Sequence, residues 1–85
     1  MGWIKSTKSE SLAKDAYDAI QAGRQIFVAK LNWPMMKLGF SGEVVDWSLM
    51  IEAIEQQGWV LYNFAGATDK EGRPEAFCVF RRRHG

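Results

Sequence analysis

Val44-Val45-Asp46-Trp47-Ser48-Leu49-Met50-Ile51-Glu52-Ala53-Ile54-Glu55-Gln56-Gln57-Gly58-Trp59-Val60-Leu61-Tyr62-Asn63-Phe64-Ala65 is the stretch whose reading decides the fold. In its first half Val44, Trp47, Met50, Ile51 and Ile54 recur at spacings of three and four, which makes one apolar stripe on a helix and fails the period of two that a strand needs. Gly58 follows the last periodic residue, where a helix commonly closes with a left-handed backbone that glycine adopts without a Cβ clash. The start is less sharply marked. Ser41 or Gly42 can cap it, and Glu43 and Asp46 suit the positive end of the helix dipole. After Gly58 the aromatic and β-branched run Trp59–Ala65, apolar on both alternating faces, reads as a largely buried strand.

Downstream, Pro74-Glu75-Ala76-Phe77-Cys78-Val79-Phe80-Arg81 is a second strand-forming run. The polar stretch between them, Gly66 to Arg73, contains Asp69-Lys70-Glu71-Gly72, which fits a type I turn followed by a left-handed glycine. The two runs therefore form an antiparallel hairpin. Pro74 has no amide proton to give a ladder, so it belongs at the start of its strand or on an unpaired side.

The order helix, Gly58-Trp59, strand, loop, and a last strand ending Val79-Phe80-Arg81-Arg82 resembles a widespread group of small bacterial β-α-β-β domains of unknown function. In that group a Gly-Trp pair followed by an aliphatic residue opens the second strand, and a phenylalanine-basic pair closes the third. The likeness covers about half the chain. It implies a fold and brings no activity, cofactor or site residue with it.

Upstream, Thr7-Lys8-Ser9-Glu10 is a capping box, so a first helix begins near Lys8. Its stripe of Leu12, Ala13, Ala16, Tyr17, Ala19 and Ile20 is made mostly of small residues, and Gly23 ends it. Alanines bury little area, roughly 25 cal/mol for each Å2, so this helix is expected to be the less firmly held one. Gln25 to Leu31 reads as a strand, stopped by Asn32-Trp33-Pro34. The connection over residues 32–42 is unusually apolar for a loop, with Trp33, Met35, Met36, Leu38 and Phe40. Residues 1–6 are expected to fray.

The expected class is thus α+β in the order α-β-α-β-β, one domain over residues 1–85, with a three-stranded antiparallel sheet from residues near 25–31, 59–65 and 74–81 packed on the central helix. A content of 47% hydrophobic and 13% aromatic residues excludes a disordered chain. A net charge of +1 gives no global attraction to nucleic acid or membrane. Cys78 is the only cysteine, which excludes an internal disulfide and favours a reducing cytoplasm. There is no apolar run of membrane-spanning or signal-peptide length.

No nucleophile, base and orienting group can be named together, so a catalytic function is not expected. Glu52 and Glu55 are near neighbours on a helix but have no His or Cys beside them in sequence to complete a metal set, and no cofactor motif is present. His84, the single histidine, lies almost at the end. The expected function is a noncatalytic protein-interaction module, a homodimer or the receiver of a protein partner. Its contacts would be Trp33, Met35, Met36, Phe40, Val45 and Leu49, since Val45 and Leu49 point away from the helix stripe. The competing reading of the same loop is that it closes the end of the core. One alternative is a small-molecule binder stacking a planar ligand on Trp33 or Trp59. Another is nucleic-acid contact through Arg73, Arg81, Arg82 and Arg83, with Arg81 and Arg83 sharing one face if the strand continues that far; against it stands a solubilising tail.

Overall fold

The computed structural model describes residues 7–34 and 41–84. The expected fraying of residues 1–6, the capping exchange of Thr7, and the loop residues Met35, Met36, Leu38 and Phe40 lie outside what is described. The elements are α1 (Thr7–Gln21), β1 (Ile26–Leu31), α2 (Val45–Glu55), β2 (Trp59–Thr68) and β3 (Pro74–Arg82), in the expected α-β-α-β-β order. The sheet runs β1-β3-β2, and β3 is antiparallel to both neighbours. The hairpin strand β3 therefore fills the gap between two parallel strands that α2 connects.

Both glycine stops behave as the sequence implies. Gly23 sits at φ +77, its amide donating to Ile20 and the Arg24 amide to Ala19, a paired closure of α1. Gly58 sits at φ +107, and its amide donates to the Glu55 carbonyl. The hairpin turn is built as read: the Gly72 amide donates to the Asp69 carbonyl with Gly72 at φ +80, and Asp69 Oδ1 accepts from the amides of Glu71 and Arg73. At the start of α2 the reading is corrected. Val44 is the N-cap residue and makes no side-chain cap, so neither Ser41 nor Gly42 serves.

The core lies between one sheet face and both helices. It contains Ala16 and Ala19 from α1, Met50 and Ile54 from α2, and Phe27, Ala29, Leu31, Trp59, Ala76, Cys78 and Phe80 from the sheet. α1 enters the core through Ala16 and Ala19, while Leu12, Ala13 and Ile20 are only partly buried and Tyr17 is exposed. Ala16 lets the Trp59 ring come close enough for Nε1 to donate to the Ala16 carbonyl at 3.0 Å. Small side chains here exchange buried area for close approach. Trp59 also meets Phe27 with ring centroids 5.7 Å apart.

Strand β2 departs from its reading twice. It continues through Gly66, Ala67 and Thr68, which the polar look of the segment had placed in the loop, because the register with β3 runs on to Thr68 opposite Pro74. It is also not buried on both faces: Trp59 alone is buried, because β2 is an edge strand and both helices lie on one side of the sheet. A bulge accounts for its mixed pattern. Leu61 pairs with Phe80 and Asn63 with Val79, leaving Tyr62 extra. Strict alternation from Leu61 would send Phe64 away from the core. The extra residue returns it to the helix side, opposite Cys78, where its ring meets Trp47 edge-on at 6.0 Å.

Candidate interaction surface

Two regions outside the core carry side chains with unspent chemistry, and they lie on different sides of the sheet. The first is the end at which both helices finish. Helices α1 and α2 run side by side in the same direction: Lys8 Nζ lies 3.6 Å from Asp46 near their starts, and consecutive arginines of β3 reach both finishes. Arg82 donates to the Arg24 carbonyl just beyond α1 at 3.0 Å, and Arg83 donates to the Glu55 carbonyl at the end of α2 at 2.8 Å. Two negative helix ends side by side attract cation, and neither helix has a basic residue in its own last turn. Arg82 also lies over the Trp59 ring at 6.0 Å. Arg81 and Arg83 would share a face only if the strand ran on; it ends at Arg82, and the Arg83 amide donates to the Gly58 carbonyl.

The remaining arginines are placed differently. Arg73 is held in the turn by Asp69 at 2.9 Å and Glu71 at 3.1 Å, with its guanidinium 4.9 Å above the Trp33 ring. Burial works to raise the Asp69 pKa, but the amide and guanidinium of Arg73 and the amide of Glu71 outweigh it, holding the carboxyl below its ordinary 3.8. Arg81 is on the opposite side of the sheet from the helices, its guanidinium 5.2 Å above the Tyr62 ring. An open groove of about 320 Å3 runs between Val60, Leu61, Tyr62 and the segment from Arg81 to His84.

The second region is the sheet face that no helix covers. Antiparallel sheets with one wet face normally alternate apolar inward and polar outward. Here the outward positions are apolar as well. Ile26 and Val28 of β1, Phe77 and Val79 of β3, and Val60, Ala65 and Ala67 of β2 occupy this face by register, Asn63 stands opposite Val79, and Tyr62, the extra residue of the bulge, is brought to it under the Arg81 guanidinium. Val28 is 60% exposed, Tyr62 67% and Phe77 40%, with Ile26 and Val60 comparably open. Ionic groups stand only at its margins: Glu75 where β3 begins, Arg81 where it ends, and Lys30 on β1.

Of the residues expected to meet a partner, Val45 and Leu49 are exposed at 51% and 40%, on the outside of α2. Trp33 is at the far end of the molecule from the arginine-capped helix ends, by the hairpin turn, with its carbonyl accepting from Lys8. Val45 and Leu49, on a helix that covers the other side of the sheet, do not adjoin the open sheet face. Trp59, named for ligand stacking, is fully enclosed. Glu55 uses Oε2 to accept the Leu61 amide at 3.1 Å, tying α2 to β2, while Glu52 is exposed. Among the described residues no cluster of three His, Cys, Asp or Glu could hold a metal ion. Cys78 is buried, which pushes its thiol pKa up and holds it as the unreactive thiol.

The sequence reading missed the open face because each strand was judged separately. Its signal was present in the outward phase of β1, where Ile26 and Val28 alternate with the core residues Phe27 and Ala29. Comparison of the chain with protein families, with curated proteins and with solved structures returned no match. Among the described residues no helix is long and apolar enough to cross a membrane.

Proposed function

We propose that this chain is a noncatalytic protein-interaction module that associates with a second copy of itself through the open face of its sheet. The observation that supports this is the run of Ile26, Val28, Val60, Tyr62 and Phe77, all exposed on one face. A contiguous apolar face of this kind on a small domain favours coverage by another protein surface. A second copy suits its shape. Along β2 the face is bulky at Val60 and Tyr62 and low at Ala65 and Ala67. Two copies laid face to face with their strands reversed set bulk against hollow, which is how paired sheets interdigitate across about 10 Å.

Solution mass by light scattering over a range of concentrations tests the reading. The parent chain is expected to dimerise, and Val28→Glu, which puts a charge at the most open aliphatic position of the face, is expected to give a folded monomer. Leu49→Glu serves as the comparator on the outside of α2 and is expected to leave the dimer intact. A parent that is monomeric at every concentration, or a dimer that Leu49→Glu dissolves and Val28→Glu does not, overturns the assignment to the sheet face.

A further inference from the structure

We infer that two copies meet with their β3 strands antiparallel, so that Glu75 of each copy pairs with Arg81 of the other. This rests on the self-association proposed above and adds to it the arrangement and the residues that select it. Along the outward side of β3 the order is Glu75, Phe77, Val79, Arg81: an acid, two apolar residues and a base. Among the described residues Glu75 and Arg81 form no ion pair within their own chain, and Arg81 is held only over the Tyr62 ring. A guanidinium over an aromatic ring makes no hydrogen bond to it, so its N–H donors stay available to an acceptor.

Two face-to-face arrangements satisfy a two-fold axis, and charge separates them. With the axis along the strands, β3 lies parallel to its mate, Glu75 faces Glu75 and Arg81 faces Arg81, so both ends repel. With the axis across the strands at the level of Cys78, Phe77 faces Val79, Glu75 faces Arg81, and each contact occurs twice. The distances allow it. Each charged residue lies three residues from the axis, about 10 Å at roughly 3.4 Å per residue. The usual rotation of about 30° between packed sheets displaces facing positions there by about 5 Å. That offset, across sheets about 10 Å apart, is within the combined reach of a glutamate and an arginine. On β2 the same arrangement lays Val60 over Ala67 and Asn63, with the adjoining Tyr62 of the bulge, over Ala65. Lys30 falls over Val28 on the edge strand β1, where its ammonium can extend past the margin into water.

Charge reversal tests the arrangement. Glu75→Arg and Arg81→Glu are each expected to weaken dimerisation by roughly ten- to a hundredfold, because each replaces two attractions by two repulsions. An equimolar mixture of the two variants is expected to recover association close to that of the parent, since both pairs in the mixed dimer are again of opposite sign. Denaturation midpoints taken at a dilution where all are monomeric check that each variant is folded. Single variants that dimerise as the parent does, while Val28→Glu still dissolves it, overturn the antiparallel arrangement and leave the sheet face as the interface. A mixture that stays dissociated overturns the pairing as well. A parent that never dimerises overturns both proposals together.

Discussion

Trp59 holds three parts of the molecule in one place. Its ring is fully buried against Phe27, its indole N–H is donated to α1 at the Ala16 carbonyl, and Arg82 lies over its outer side. Trp59→Phe is expected to lower stability by about 2–3 kcal/mol, from lost buried volume and the lost hydrogen bond. Urea denaturation should show this as a lower midpoint at unchanged slope. Asp69 carries the pH dependence that the structure displays. Its carboxyl is held below 3.8 in the folded chain, so its contribution is complete above that unfolded value and is lost as the pH falls through the lower folded one. Asp69→Asn is expected to flatten the loss of thermal stability on acidification below the ordinary carboxylate range while preserving the turn, because an asparagine side chain still accepts the Glu71 and Arg73 amides. A melting-temperature profile against pH for parent and variant measures it. Both residues could be singled out from the chain: Trp59 by its place after Gly58, and Asp69 by the Asp-Lys-Glu-Gly turn. The partners of Trp59 could not, since Ala16 is 43 residues away.

Elements were legible where local rules apply and illegible where pairing sets the outcome. The helix of Trp47, Met50, Ile51 and Ile54, the two glycine stops and the turn glycine Gly72 follow from spacing and backbone freedom. The bulge at Tyr62 does not, because it is defined by two residues facing one across a strand boundary. Its consequence can be tested by deletion. Removing Tyr62 is expected to leave Trp59 and Leu61 inward, Asn63 opposite Val79 and Phe64 against Trp47, with stability changed by about 1 kcal/mol or less. Deleting Val60 instead moves Trp59 one position along the strand and off the core face, and is expected to prevent folding. Circular dichroism and urea melts of the two deletions distinguish these outcomes. The arginines at the end of β3 belong to the same scale. Read as a string they are a basic tail, whereas in the fold Arg82 and Arg83 cap two helix ends that the chain order gives no reason to place together.

On the scale of the whole molecule, both helices cover one side of a three-stranded sheet and the other side stays apolar. The core is accordingly small, with alanine contributing from both α1 and the sheet. A domain of this size buries only about 60–65% of its unfolded surface, so covering a second face would add measurably to stability. If two copies share that face, the melting temperature should rise with protein concentration by mass action, and the rise should vanish in Val28→Glu. Differential scanning calorimetry at concentrations spanning two decades, about tenfold apart, provides the reading.

By itself the sequence determined the elements, the turn and the hairpin, because each depends on residues within a few positions of one another. The α+β class followed from their order. Only the tertiary structure decided that β3 lies between β1 and β2, that α1 is pinned through Ala16 and Ala19, and that the apolar outward residues of three strands gather into one face. Those outcomes depend on which side of the sheet each helix occupies, and that choice is made by contacts between residues far apart in the chain, where local spacing carries no information.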